Sequence, residues 1–121
     1  ERPGRKCVVK GVFDRDDRRV YYLPGDPLYD ETNVDPLSGE RWFCSAGHAH
    51  ANGHRRCIIK GVVETDGRRV FYSPLSQGYE EKRMNYRRGD RWLCSAQMAV
   101  RAGFRIRAPI DPAKARAART N

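Results

Sequence analysis

No long apolar run occurs anywhere in this chain of 121 residues. A helix that crosses a membrane needs about twenty such residues in succession, so a helical span is excluded. Catalytic signatures are also missing: there is no Ser-His-Asp order, nucleophile elbow, phosphate-binding glycine loop or His-Glu-x-x-His. No enzymatic activity, catalytic residue, cofactor or metal ion is expected. Carboxylates are in the minority, with 15 Asp and Glu against 24 Lys and Arg, a net charge of +9. That imbalance suits acidic partners: nucleic acid, anionic polysaccharide or a membrane surface. No signal peptide stands in the sequence, which begins at Glu1. A leader already removed is consistent with an exported protein.

What the chain does have is one fifty-residue unit written twice. Cys7-Val8-Val9-Lys10-Gly11-Val12 returns as Cys57-Ile58-Ile59-Lys60-Gly61-Val62. Arg18-Arg19-Val20-Tyr21-Tyr22 returns as Arg68-Arg69-Val70-Phe71-Tyr72, and Gly39-Glu40-Arg41-Trp42-Phe43-Cys44-Ser45-Ala46 as Gly89-Asp90-Arg91-Trp92-Leu93-Cys94-Ser95-Ala96. At an offset of 50, 21 of 50 pairs are identical. A repeat of this kind determines architecture before any single residue does. It also gives an internal control: residues kept in both copies belong to the scaffold, and those in one copy mark specialisation or drift.

The cysteines follow the repeat. Cys44 lies 37 positions after Cys7, and Cys94 lies 37 after Cys57. One disulfide per unit is the first reading, and it implies an oxidising compartment. Four buried reduced thiols are the alternative. A small unit gains much from such a staple.

Each unit predicts the same elements. Cys7–Phe13 is β-branched and apolar and reads as a strand; a turn follows, then a returning strand at Arg18–Tyr22 that Pro24 ends. A long loop covers Gly25–Ser38, or Leu75–Arg88 in the second copy. Arg41–Cys44 and Arg91–Cys94 are short strands, and Ser45 and Ser95 cap short helices that Gly53 and Gly103 stop. The expected class is α+β, two tandem disulfide-stapled units over 1–56 and 57–106. Residues 107–121 form a basic C-terminal tail outside the repeat. The expected cores are Val9/Ile59, Val12/Val62, Val20/Val70, Tyr22/Tyr72, Trp42/Trp92 and Ala49/Ala99.

Three features bear on chemistry. Cys44, His48, His50 and His54 make a string of metal-ligand types, with His50 and His54 four apart on one helix face. The second unit has Met98, Val100 and Phe104 at the three histidine positions, so packing and surface roles are favoured over metal binding. Glu40 and Asp90, each followed by Arg, are expected to shape the turn before the Trp strand. The third feature is the charge split. Net charge is +1 over 1–56, +5 over 57–106 and +3 over 107–121. The second loop carries Lys82, Arg83, Tyr86, Arg87 and Arg88, where the first carries Asp30, Glu31 and Asp35. Arginine interleaved with an aromatic suits phosphate contact and base stacking, and anionic sugars as well.

The Cys-x-Ile/Val-Lys-Gly, Val-Tyr-Tyr-x-Pro-Gly and Gly-Glu-Arg-Trp-Phe-Cys-Ser elements resemble the "sunset" domain of bacterial secreted proteins, a module that often follows a thermonuclease-like domain. The resemblance covers Cys7–Arg56 and Cys57–Arg105. It departs from the usual pattern at Tyr22 and Tyr72, where a His is common, and at Leu75, where the Pro-Gly pair is lost. It implies the small α+β fold, cysteine pairing within each unit and a secreted or periplasmic location, and implies no activity. The module also looks distantly like a DNA-repair zinc domain whose four cysteines share one site; with two cysteines per unit, that zinc chemistry does not transfer.

The expected function is therefore a secreted, non-enzymatic binding module for a polyanion, nucleic acid or acidic polysaccharide. The contacts are expected at Lys82, Arg83, Tyr86, Arg87 and Arg88, with Arg116 and Arg119 in the tail. The alternative is a structural or assembly subunit of an extracellular or envelope complex. In that reading the partner is another protein, or the acidic loop of one copy meets the basic loop of another head to tail. An accessory domain of an envelope nuclease is a third reading.

Overall fold

A computed structural model describes residues 6–106 and 109–119. The chain is α+β and divides into two compact units, Glu1–Cys57 and Ile58–Asn121. The first holds β1 (Val9–Phe13), β2 (Arg19–Tyr22), β3 (Arg41–Phe43) and helix α1 (Ala46–Ala51). The second holds β4 (Ile59–Val63), β5 (Arg69–Tyr72), β6 (Arg91–Leu93), helix α2 (Ala96–Arg101), β7 (Arg105–Ile106) and helix α3 (Pro112–Arg119).

The first sheet has the order β2-β1-β3 and the second β6-β4-β5-β7. The antiparallel registers correspond at the offset of the repeat: Lys10 faces Tyr22 and Trp42, and Lys60 faces Tyr72 and Trp92. Cys7 and Cys44 form a disulfide; Cys57 and Cys94 are disulfide-bonded as well, and no cysteine is free. Ser45 Oγ accepts from His48 N at 3.0 Å and Ser95 Oγ from Met98 N at 3.1 Å, so both helices carry the expected caps.

The sheet of the second unit is covered on both faces. On one, Phe71 and Leu93 pack with Ala99 of α2 and with Phe104. On the other, Val62, Val70 and Tyr72 pack with Tyr79 and Met84 of the long loop. In the first unit Val9, Phe43 and Ala49 form the helix-side cluster. The expected core positions are buried except Ile59 and Trp42, which are half-buried. The repeated glycine of the central strand has a steric cause. A Cβ on Gly61 would lie 2.8 Å from Leu93 Cδ1 and 3.0 Å from the Phe104 ring, and one on Gly11 would collide with the Phe43 ring. An aromatic ring therefore rests directly on the strand backbone.

Two parts of the fold exceed the sequence expectation. After each helix the chain returns as a parallel partner, a bridge of Arg55 to Val20 in the first unit and β7 on β5 in the second. The described part of the tail is pinned to the second loop: Gln77 N donates to Pro109 O at 2.9 Å and Asp111 N to Leu75 O at 2.7 Å. Lys114 Nζ then reaches Ser76 O at 3.1 Å and Glu80 Oε1 at 2.6 Å.

Candidate polyanion-binding loop

The loop that carries the basic cluster contains only a short 3-10 turn, Tyr86–Arg88, yet repeated side chains hold it. Lys60 is buried on β4, and its Nζ donates to Tyr79 O at 2.6 Å and Lys82 O at 2.8 Å. The same ammonium sits 4.3 Å from the centre of the Tyr79 ring. Burial pulls the Lys60 pKa below that of an ordinary lysine. Tyr79 OH donates to Ile58 O. In the first unit Lys10 Nζ binds Tyr29 O and Thr32 O, both at 2.6 Å, and Tyr29 OH binds Val8 O at 2.7 Å.

The repeated carboxylate fastens the far end of the loop. Asp90 is buried, with Oδ1 accepting from Val63 N and Oδ2 from Asn85 N, both at 2.8 Å. Glu40 does the same in the first unit, accepting from Phe13 N at 3.0 Å and Asp35 N at 2.8 Å. Asn85 caps the 3-10 turn through Arg87 N, and Gly89 ends it with φ of 99°. This carboxylate thus shapes the turn before the Trp strand.

The basic side chains differ in what they meet. Arg83 and Arg87 are exposed and make no ion pair among the described residues. Arg88 is exposed and lies 3.6 Å from Asp90 Oδ2. Tyr86 is 37% exposed, and its hydroxyl accepts from Trp92 Nε1 at 2.8 Å. Lys82 is engaged within the protein: its Nζ is 3.3 Å from Glu64 Oε2 and 5.4 Å from the centre of the Tyr72 ring. Hydrogen bonding to Glu64 raises the Lys82 pKa against the opposing effect of burial, the largest single influence. Arg116 is exposed on α3, and the side chain of Arg119 lies outside the described residues. The loop therefore brings Arg83, Tyr86, Arg87 and Arg88 onto one anchored segment.

In the acidic first loop, Asp35 is used as a cap, accepting from Leu37 N at 3.1 Å and Ser38 Oγ at 2.7 Å. Asp26 accepts from Leu23 N at 2.8 Å and pairs with Arg56 at 2.5 Å. Asp30 and Glu31 are exposed.

The histidines divide by depth. His48 and His50 are exposed on α1, and Cys44 is tied to Cys7. His54 is buried edge-on to Phe43, with ring centres 5.1 Å apart, and its Nδ1 has no hydrogen-bond partner among the described residues. It occupies the position that Phe104 fills in the second unit, a packing site. Burial lowers its pKa, backbone contact at Asn52 opposes the shift, and Arg19 and Arg41 reinforce it. Among the described residues, no three His, Cys, Asp or Glu side chains are grouped to hold a metal ion. Sequence reasoning missed the buried lysines, since Lys10 and Lys60 read as ordinary polar positions; their recurrence in both copies was the available signal.

The chain matches no protein-family model, and no curated protein or solved structure matches it.

Proposed function

We propose that the protein is a non-enzymatic module that binds a polyanion, nucleic acid or acidic polysaccharide, through the loop of the second unit. The observation that carries this reading is the anchored segment on which Arg83 and Arg87 are exposed, with no ion pair among the described residues, together with the exposed Tyr86. An anchored loop loses little conformational freedom when it binds, so its guanidiniums keep more of their affinity. Arginine forks suit bidentate contact with phosphate or carboxylate, and the tyrosine face suits a base or a sugar ring. Lys82 supports the loop through Glu64 and contributes little to the ligand, and Arg116 adds long-range attraction from α3. The disulfides, and the lack of a membrane-crossing helix among the described residues, fit export to an oxidising compartment.

The test is charge reversal. An Arg83→Glu, Arg87→Glu double variant should lose at least ten-fold in affinity for a labelled oligonucleotide or polyuronate while unfolding at the wild-type temperature. Unchanged affinity would refute the assignment of the loop.

A further inference from the structure

A second cluster of guanidiniums lies apart from the loop, beside the parallel strand pair β5 and β7. An open cleft of about 590 Å3 is lined there by Arg68, Arg69 and Arg105, with Gly67, Gly103 and Ile106 on its margins. We infer that this cleft binds a phosphate group, and that it does so independently of the loop proposed above.

The three arginines are prepared in different ways. Arg69 is held from below, with its guanidinium 5.8 Å from the centre of the Phe104 ring and Nη1 donating to Ala102 O at 3.2 Å. That contact uses one of its five donors and leaves the rest of the fork for a ligand. Arg105 stands opposite Val70 in the parallel register, is exposed, and makes no ion pair among the described residues. Among the described residues Arg68 is paired only with Asp66, at 3.3 Å, and both side chains are more than half exposed. An exposed pair of this kind contributes little to stability, so a phosphate can replace it.

The first unit shows what has changed. There the matching Arg18 is pinned by Asp14 at 2.8 Å, lies 3.9 Å from Asp16, and is followed by no glycine turn but preceded by Asp17. In the second unit Asp17 is replaced by Gly67, beside which a Cβ would meet open space. Glu64 stands at the position of Asp14 but turns toward Tyr72 OH, at 3.2 Å, and toward Lys82. One carboxylate is gone and another is drawn away, which leaves three arginines lining the cleft, of which Arg68 alone is paired, among the described residues, with the exposed Asp66. Phosphate is the fitting ligand because its oxygens accept from several guanidinium forks at once. Ile106, 64% exposed at the margin, offers an apolar rest for the sugar or base of a phosphate ester.

The experiment is an NMR titration of the protein labelled with nitrogen-15. Inorganic phosphate, adenosine monophosphate and a short single-stranded oligonucleotide are added in turn, each at ionic strength matched with chloride. Saturable shifts are expected at the Gly67 and Gly103 amides and at the Nε–H groups of Arg68, Arg69 and Arg105. Arg68→Glu with Arg105→Glu should weaken them at least ten-fold, as should Gly67→Asp, which restores the carboxylate of the first unit. Arg83→Glu with Arg87→Glu should leave them unchanged, so failure of the loop and failure of the cleft are separately visible. Tighter binding of the oligonucleotide would identify a chain of phosphates as the source, and equal binding of phosphate alone a free anion site. Non-saturating shifts, or the same shifts with chloride, would overturn the inference.

Discussion

Glycine behaves differently at two positions of the first unit because its neighbours differ. Gly11→Ala forces a Cβ into the Phe43 ring and should lower stability by about 1–3 kcal/mol, the usual cost of overpacking. Gly47→Ala, in α1, meets only Ser45 Oγ at 4.0 Å and should raise stability by about 0.5–1 kcal/mol through helix propensity. Urea unfolding of both variants checks the opposite signs. His54 is the other informative single residue. The neutral ring fits its buried site, so its pKa is lower folded than unfolded. Its contribution is complete above the unfolded value of about 6.5 and is lost as pH falls through and below it. His54→Phe should remove that loss, and it should stabilise by about 1–2 kcal/mol by eliminating an unpartnered buried nitrogen. Thermal unfolding at pH 7, 6 and 5 follows it: the wild-type midpoint should fall more steeply than that of the variant.

At the scale of elements, the long loop is where sequence and structure part. Strands β1, β2, β4 and β5 and the capped helices were legible, because β-branched runs and Ser caps are local signals. The order within the loop was not. It comes from Lys60, Tyr79 and Asp90, which bond across 19 to 27 positions of sequence, a distance that no local pattern reports. Parallel β7 was missed for a similar reason, since a two-residue strand has no periodicity of its own. Lys60→Met should expose the two carbonyls it caps and cost about 2 kcal/mol. The amides of residues 82–88 should then exchange faster, while those of β1 and β2 keep wild-type rates. Uniformly faster exchange through both units would show that Lys60 is not a local clamp. The loop that reads as bare charge is in this account an anchored platform.

At the scale of the molecule, the repeat separates scaffold from specialisation. The disulfides, the buried lysine, the loop tyrosine and the carboxylate before the Trp strand recur and build the units. Closing a loop of 37 residues with a disulfide removes about 4 kcal/mol of unfolded-chain entropy by the chain-entropy argument, so reduction should strongly lower the unfolding temperature. Charge is what diverges. The sequence located the basic loop, but it did not show that Lys82 belongs to Glu64, nor that Arg68, Arg69 and Arg105 share a cleft, since both depend on tertiary contacts. Salt dependence measures binding through the loop directly. Arg83, Arg87 and Arg88 meeting three phosphates of a single strand should give a slope of log affinity against log salt near about −2, measured by fluorescence anisotropy between about 50 and 200 mM salt. In the Arg83→Glu, Arg87→Glu variant that slope should lose the share of those two arginines, about 1.4. A wild-type affinity that does not change with salt, or no binding at the lowest salt for nucleic acid and polyuronate alike, would contradict the account.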